Sequence, residues 1–286
     1  MSESTFPCRQ IGDLSVTAIS DGYLTASLEF LSNIEVDEAE RIQAGAGVKE
    51  AAAIHINCYL VRGRGRTVLI DSGAGGFKQW GGLLKGNLVR AGVDPSEIDA
   101  VLLTHAHPDH IGGLIDASGK AVFSNAEVVV NHHEVLFWQD DENLARASER
   151  ARGNFLIARN VFQEYRDHIR TFESGDVLPG VGTMSIPGHT SGHTGFRIDD
   201  GRESLLIWGD VVHFPHIQVA NPNVSIAFDL DQSVAAETRA RILDVASSEK
   251  FLVAGMHLGE HGFARIGRDK ETYSISYESA ELREAV

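Results

Sequence analysis

The chain has 286 residues, 43% of them hydrophobic, and a formal net charge of −15 at pH 7. This length and composition permit one large hydrophobic core, so we expect a single domain over residues 1–286. The acidic charge disfavours nucleic acid as a partner, and the lack of a signal-peptide pattern or a membrane-length apolar run predicts a soluble, cytoplasmic protein with no membrane partner.

The first half of the chain predicts strands, then a helix, then another strand. Strands are predicted over residues 14–20, 53–61 and 66–71, and the turn "RGRG" joins the last two. Residues 1–50 hold the first of these strands and the stretch "FLSNIEVDEAERIQAGAG", which could serve as an arm or lid. The apolar spacing over residues 76–92 predicts a helix, and Asp94 before Pro95 is typical of an N-cap. The strand "DAVLLT" follows.

The second half of the chain again predicts strands and helices in alternation. After strand "EVVV", residues 131–167 predict one long helical stretch. Strands "GTMSIPG", "TGFRID" and "SLLIWGD" follow, then a loop, a helix over residues 232–248, strand "KFLVAG" and the C-terminal strands "FARIG" and "TYSISY". Because hairpins and crossovers both occur, we expect a layered α/β architecture with mixed sheets.

The stretch "LLTHAHPDHIGG" concentrates four metal-binding side chains directly after an apolar strand. Residues i and i+2 of an extended segment point to the same face, so His105 and His107 can reach one ion together. Asp109 and His110 are neighbours beyond a proline and cannot easily join the same centre. The motif therefore predicts two metals.

Further donors occur where later apolar strands end. His189 lies in "IPGHTSGHT", Asp210 in "LLIWGDVVH" and His257 in "FLVAGMHLG". Ligands collect at such strand ends in α/β sheets, and two imidazoles alone leave a zinc-like ion short of protein ligands. These three residues are therefore expected to complete the site.

The pattern HxHxDH, followed in order by His189, Asp210 and His257, resembles the metallo-β-lactamase superfamily over roughly residues 50–260. The resemblance implies a four-layer αβ/βα sandwich with its metals at one edge, between two mixed β-sheets. It also implies that His105, His107 and His189 hold one metal, that Asp109, His110 and His257 hold the other, and that Asp210 bridges them. In "VLIDSGAG", Asp71 is the expected partner that orients a ligand.

The resemblance also reduces the number of superfamily branches, and so of reactions, that this sequence fits. Members that are true β-lactamases generally lack the bridging aspartate, glyoxalase-II-like thioesterases add a basic helical region, and nucleases add a further domain. What remains resembles acyl-homoserine lactonases and methyl-parathion-hydrolase-like phosphotriesterases, notably in "WGDVVHFPHIQVANPNVSIAFDLD". Lactonases often have a tyrosine three residues after the bridging aspartate, where it contacts the substrate carbonyl. His213 occupies that position here and could still donate a hydrogen bond.

We therefore expect a binuclear metal-dependent hydrolase that uses a metal-bridging hydroxide to cleave a small uncharged lactone, ester or phosphotriester. Zinc is the expected metal, with Mn, Co and Fe as alternatives. The predicted catalytic residues are Asp109, which could shuttle a proton, Asp210 and His213. Three alternatives stay open: a persulfide-dioxygenase-like oxidoreductase with one iron, a glyoxalase-II-like thioesterase, and a metal-binding scaffold without catalysis. Dimerisation is common among relatives, so a homodimer also stays open.

Several other residues raise separate expectations. Cys8 and Cys58 form no metal-ligand spacing, so both should be buried, reduced thiols. His193 is a candidate for orienting a ligand, whereas Trp138 receives no role. Aromatic residues considered for the pocket, but expected mainly in the core, are Trp80, Phe214, Phe228 and Phe263. The remaining histidines are divided between solvent-facing positions (His132, His133 and His168), the pocket wall (His216 and His261) and an unassigned strand face (His55).

Overall fold

The structure is a computed structural model, and it describes residues 6–270, 272–278 and 281–282. The first group of strands is β1 (Pro7–Ile11), β2 (Leu14–Thr25), β3 (Leu31–Ser32), β4 (Ala53–Gly63), β5 (Arg66–Ile70), β6 (Ala100–Leu102), β7 (Glu127–Asn131) and β8 (Ile169–Phe172). The second group is β9 (Asp176–Leu178), β10 (Val181–Ser185), β11 (Thr194–Asp199), β12 (Ser204–Ile207), β13 (Ser225–Ile226), β14 (Leu252–Ala254), β15 (Phe263–Asp269), β16 (Thr272–Tyr277) and β17 (Glu281–Leu282).

The helices connect these strands on the outside of the molecule. They are α1 (Val36–Gly45), α2 (Leu84–Arg90), α3 (Pro108–Ile111), α4 (His132–Gln139), α5 (Asp141–Arg146), α6 (Glu149–Glu164), α7 (Pro215–Gln218) and α8 (Gln232–Ser248). Single 3-10 turns occur at Leu28–Phe30, Phe77–Gln79, Pro95–Glu97 and Gly112–Leu114. Within the described residues, none of the helices is long and apolar enough to cross a membrane.

Two large mixed sheets form the centre of the fold. The first has the order β17-β1-β2-β4-β5-β6-β7-β8, and the second β16-β15-β14-β12-β11-β10-β9. Strands β5 to β8 pair in parallel, as do β12 and β14, whereas the other pairs in both sheets are antiparallel. The small pair β3 and β13 joins the N-terminal segment to the loop after α7. The predicted α/β class with mixed sheets is confirmed.

The central strands of the sheets, such as β4 and β6, bury both of their faces, and this creates the layers. In β4, Cys58 and Leu60 face a core shared with α2 and α6, whereas Tyr59 and Val61 face a core shared with the second sheet. This alternation follows from the two-residue period of a strand. A third core lies between the second sheet and α8. The order helix, sheet, sheet, helix is the predicted αβ/βα sandwich, and the single-domain boundary 1–286 stays a prediction.

The long helical stretch predicted over residues 131–167 is wrong as one element. It consists of α4, α5 and α6, because Asp140 and Ser148 turn the chain into extended conformation and cap the next helix. Each side chain accepts a backbone N–H of the following helix, at Asn143 and Ala151. Similarly, only Leu84–Arg90 of the predicted helix over residues 76–92 is α-helical.

Most other sequence predictions agree with the structure. The helix predicted over residues 232–248 has those bounds, and Asp94 forms a capping box with Glu97. Both cysteines are buried and free. The stretch predicted as an arm or lid forms α1, and its role as a lid stays a prediction.

One edge of the two sheets collects the candidate site. The loops after β5, β6, β12 and β14 and the loop before β11 carry Asp71, the HxHxDH motif, Asp210, His257 and His189. The segment after the motif packs directly on the loop after β5. A Cβ at Gly112 or Gly113 would collide with the carbonyl oxygens of Ala74 and Ser72, so these two positions require glycine.

Candidate metal centre

Three imidazoles form the first group of candidate ligands. His105 Nε2 lies 3.0 Å from His107 Nδ1, which lies 2.9 Å from His189 Nε2. All three side chains are buried, and their ligand atoms lie within 4.8 Å of one another. The structure therefore brings together the set predicted for one metal, and ligation itself stays a prediction.

The second group consists of Asp109, His110, Asp210 and His257. Asp210 Oδ1 lies 3.2 Å from His110 Nε2 and 3.2 Å from His257 Nε2. Asp109 Oδ2 lies 3.5 and 3.6 Å from the same two nitrogens. These are again the residues predicted for the other metal, together with the predicted bridge.

Asp210 divides its two carboxylate oxygens between the groups. Oδ1 faces His110 and His257, whereas Oδ2 lies 3.2 Å from His189 Nε2 and 3.8 Å from His105 Nε2. Oδ2 also lies 3.3 Å from His257 Nε2. A carboxylate with one oxygen toward each set of imidazoles is placed as a bridging ligand requires.

The donor atoms fit divalent cations. His110 Nε2 and Asp210 Oδ1 are buried and make no hydrogen bond within the described part of the chain. In the first group, imidazole nitrogens point at one another, and neutral rings have too few protons to satisfy all of these contacts. Because buried polar atoms without partners are costly, and imidazole with carboxylate suits zinc and similar ions, these residues fit the predicted pair of metals.

The nitrogens that face away from the centre are held by hydrogen bonds. Asp71 lies 2.6 Å from His110 Nδ1, as predicted, and it also accepts the backbone and side-chain donors of Thr104. Asp229 lies 2.8 Å from His189 Nδ1, and His257 Nδ1 donates to the backbone oxygen of His55 at 2.7 Å. Such contacts fix the ring orientation and direct the other nitrogen toward the metal.

His193 orients the chain at Asp210. Its Nε2 accepts the backbone N–H of Asp210 at 3.0 Å. The backbone just before Asp210 packs closely on the His193 ring. Gly209 has φ +56°, and a Cβ there would collide with His193 Nε2. The glycine before Asp210 is therefore required, and the predicted orienting role of His193 has a specific contact.

Glu134 is a buried carboxylate that sequence reasoning missed. Its Oε2 accepts the backbone N–H of Ala106 and Trp138 Nε1–H, both at 2.9 Å. Its Oε1 accepts the backbone N–H of Gly192, also at 2.9 Å. Glu134 thus joins the turn between His105 and His107 to the loop that carries His189. Neither Glu134 nor Asp229 belongs to a recognisable motif, and only the folded arrangement identifies them.

The imidazoles of the first group differ in protonation when no cation is bound. Burial and the neighbouring His189 lower the pKa of His107 to about 3. Burial alone would also lower the pKa of His189, but its hydrogen bonds to Asp210 and Asp229 raise that pKa to about 9. Around neutral pH His107 is therefore a ready ligand, whereas His189 must release a proton to bind a cation.

A cavity of about 380 Å³ opens onto both groups. His107, Asp109, His189, Asp210 and His213 form its polar wall. Trp80 and Phe228, considered from sequence, line it, whereas Phe263 is buried between the sheets. Trp138, to which the sequence assigned no role, also lines the cavity and lies edge-on to His107, with ring centroids 5.5 Å apart. The rest of the apolar wall is Leu24, Phe30, Ile54, Phe137, Phe155 and Leu230.

His213 stands beside Asp210 rather than free in the cavity. Its Nε2 lies 3.1 Å from Asp210 Oδ2, and its Nδ1 is buried with no partner among the described residues. His213, His189 and Asp210 also form a third group of potential ligands. A hydrogen bond from His213 to a substrate carbonyl stays a prediction.

A second cavity, of about 790 Å³, adjoins the first at Ile54 and His213. His216 and His261, which were candidates for the active-site pocket wall, line this second cavity and not the first, and so do His55 and Phe214. His55 is held by Ser20 Oγ at 3.0 Å. Away from both cavities, His133 and His168 are exposed, as predicted, whereas His132 is half-buried.

Comparison with known proteins agrees with this geometry. The family model "Metallo-beta-lactamase superfamily" matches residues 52–257. The hydrolase AbOPH, of the β-lactamase superfamily, superposes with a TM-score of 0.90 at 27% identity, covering 98% of this chain and 100% of that one. AidC, a dizinc quorum-quenching lactonase in complex with a product, superposes with a TM-score of 0.89 at 26% identity, covering 98% and 99%.

Curated relatives match over parts of their length. The chicken (Gallus gallus) protein "Acyl-coenzyme A thioesterase MBLAC2" is 27% identical over 76% of this chain and 77% of its own length. YobT of Bacillus subtilis is 28% identical over 56% of this chain, and the match spans 63% of its length. With the family model, the fold and the ligand groups in agreement, the chain belongs to the metallo-β-lactamase superfamily, and the prediction of a metal-dependent hydrolase of this fold is confirmed.

Proposed function

We propose that this protein is a two-metal hydrolase that cleaves a small lactone, ester or phosphotriester, with a lactone or carboxylic ester as the preferred substrate. The observation that carries the proposal is the position of Asp210, whose two oxygens face separate ligand groups at the wall of one apolar cavity. A cavity of about 380 Å³ suits a small organic molecule.

His105, His107 and His189 would hold one ion, and Asp109, His110 and His257 the other, with Asp210 between them. When bound, the two ions would supply a water-derived nucleophile at neutral pH and polarise the bond that is cut. Asp71, Asp229 and the His55 carbonyl keep three of these imidazoles in position, those of His110, His189 and His257 respectively.

Asp109 is the proposed proton carrier. It lines the cavity, and its side chain is 13% exposed, whereas that of Asp210 is 2% exposed. A carboxylate at the cavity wall can take a proton from the attacking water and pass it to the leaving alkoxide. The aromatic side chains around it exclude bulk water from the reacting bond.

The solved lactonase structures support a lactone or ester substrate. AidC is described as a lactonase with the product N-hexanoyl-L-homoserine bound, and it matches almost the whole of both chains. A thioester is the second candidate, because a relative covering 76% of this chain is named an acyl-coenzyme A thioesterase. The complete second group of ligands disfavours the alternative of a one-iron persulfide dioxygenase.

A substrate panel tests the proposal directly. Protein purified without chelators is given an N-acyl homoserine lactone, a 4-nitrophenyl ester, a dialkyl aryl phosphate and an acyl thioester, with Asp210→Asn as the inactive control. We expect turnover of the lactone or the aryl ester above the metal-only blank, and a loss of at least about a thousandfold in the variant. Turnover of the thioester alone would favour the second candidate, and no turnover of any of the four would contradict the proposal.

Zinc as the native metal, the homodimer and the cytoplasmic location stay predictions.

A further inference from the structure

Two exposed cations line the candidate active-site cavity, and the solvent-facing rim where they lie is called its mouth. They are Lys78 and Arg150, and the other charged side chains in the cavity wall are Asp109, Asp210 and Asp229. Asp109 and Asp210 belong to the ligand groups, and Asp229 is engaged by His189 and Arg239. The charges that remain for a ligand at the mouth are therefore both positive.

Both cations rest on aromatic rings. Arg150 Cζ lies 5.3 Å from the ring centroid of Phe30 and 5.2 Å from that of Phe228. Lys78 Nζ lies 5.3 Å from the ring centroids of Phe77 and Trp80. Such cation–π contacts hold a long, flexible side chain in place beside an apolar wall.

Neither cation is neutralised by the protein. Arg150 donates through Nη2 to the backbone oxygen of Ala227 at 2.7 Å. Within the described residues, Arg150 and Lys78 make no ion pair with a carboxylate. The first turn of α6, capped by Ser148, also borders the cavity and adds partial positive charge, and Glu149 in the same turn does not line the cavity.

This positive mouth contrasts with the rest of the molecule. The chain carries a formal charge of −15, so its overall field repels anions. The charged side chains of the second cavity are Lys49, Glu50 and Glu260, which leave it without excess positive charge. Apart from the proposed metal ions, the charges that line the first cavity therefore favour an anion at its mouth.

We propose, resting on the hydrolase function above, that the substrate is an ester or lactone with an apolar or aromatic body and a carboxylate at its far end. The ester carbonyl lies at the metal centre, the body lies along the aromatic wall, and the carboxylate is bound at the mouth by Arg150 and Lys78. The reacting ester group is uncharged and the carboxylate is remote from it, so this proposal departs from the wholly uncharged substrate that the sequence predicted.

A matched pair of substrates tests this proposal. The 4-nitrophenyl ester of 4-(carboxymethyl)benzoic acid has a free carboxylate that cannot reach its own ester, and the 4-nitrophenyl ester of 4-(carbamoylmethyl)benzoic acid has a carboxamide of the same shape. We expect a higher kcat/KM for the acid, a loss of about fivefold for the acid alone in Arg150→Gln and in Lys78→Gln, and a larger loss in Arg150→Glu. Added salt should reduce the preference of the wild type.

Arg152→Gln is the control. Arg152 lies on the same helix and also donates to a backbone oxygen, that of Ala145, but it does not line the cavity. Arg152→Gln should leave kcat/KM unchanged for both the acid and the amide. If Arg150→Gln lowers kcat/KM equally for acid and amide, the arginine has only a structural role through its hydrogen bond to residue 227. That result would overturn the proposal. A wild type without preference for the acid would overturn it as well.

A binding measurement separates this proposal from the proposed function. Trp80 and Trp138 line the cavity, so their fluorescence should report binding of 4-phenylbutyrate and of its amide. In the protein as purified, Arg150→Gln should weaken binding of the acid about fivefold and leave the amide unchanged. If neither ester is turned over but this difference holds, the anion site stands and the hydrolase function fails. If an ester is turned over but Arg150→Gln binds the acid as tightly as the wild type does, the hydrolase function stands and only the anion site is refuted.

Discussion

Replacing Glu134 with glutamine should loosen the metal centre without removing any candidate ligand. Glu134 accepts three buried N–H groups, from Ala106, Trp138 and Gly192. Glutamine has nearly the same shape but only one acceptor oxygen. If that oxygen faces Ala106 and Trp138, the new amide N–H₂ group meets the N–H of Gly192, and that donor is left without an acceptor.

The expected cost follows from these three hydrogen bonds. A buried donor left without a partner costs about 1–3 kcal/mol, and a hydrogen bond to a neutral acceptor is worth roughly 1 kcal/mol less than one to a charged acceptor. Because the substitution leaves one donor unpaired and weakens two hydrogen bonds, Glu134→Gln should lower the free energy of unfolding by about 3–5 kcal/mol. Since these hydrogen bonds join the turn of His105 and His107 to the loop of His189, metal affinity should fall too.

Urea unfolding and chelator competition measure these two effects. The matched control is Glu142→Gln, since the side chain of Glu142 is 82% exposed and pairs with Arg146 on the surface. That control should change the free energy of unfolding by at most about 0.5 kcal/mol and leave metal affinity unaltered. If Glu134→Gln is as stable as the control and binds metal as tightly as the wild type, Glu134 does not hold the centre together.

Four further predictions concern the imidazoles and their partners. His107→Ala should abolish turnover while far-UV circular dichroism stays close to that of the wild type, and a fully active variant would contradict the assigned ligand role. Asp229→Asn should weaken metal binding about 10- to 100-fold, because His189 loses the carboxylate that orients it; unchanged affinity in chelator competition would refute this. Because the pKa of His189 is raised to about 9 in the absence of metal, the apparent affinity for the ion expected at His105, His107 and His189 should rise about tenfold per pH unit from pH 6.5 and level off above about pH 9. The raised pKa also means that the stabilising contribution of His189 to the metal-free protein is complete below its unfolded pKa and is lost as pH rises through about 9, which urea unfolding across this range would detect.

The sequence was sufficient to predict the candidate ligands because their spacing is local and their order is regular. His105, His107, Asp109 and His110 lie within six positions, and His189, Asp210 and His257 each follow an apolar strand. The orienting role of Asp71 was also predictable from local sequence, since this residue directly follows β5 in the stretch "VLIDSGAG". Strands with clear alternation or long apolar runs were predicted within a few residues of their bounds.

Glu134 and Asp229 could not be predicted, because each acts through contacts that only the tertiary fold creates. Glu134 is separated by 28 residues from Ala106 and by 58 from Gly192, and Asp229 is separated by 40 from His189. A lone carboxylate in a polar stretch is indistinguishable from a solvated one until these segments meet. The helical stretch over residues 131–167 was misjudged for a different reason, since Asp140 and Ser148 are N-caps that its polar composition concealed.

The metal content per chain, measured by plasma mass spectrometry on protein purified without chelators, tests the central claim most directly. Two ligand groups that share Asp210 predict about two divalent ions per wild-type chain. A single iron per chain, or none, would contradict the two-metal centre and would leave Asp109, His110 and His257 without the shared cation that their arrangement indicates.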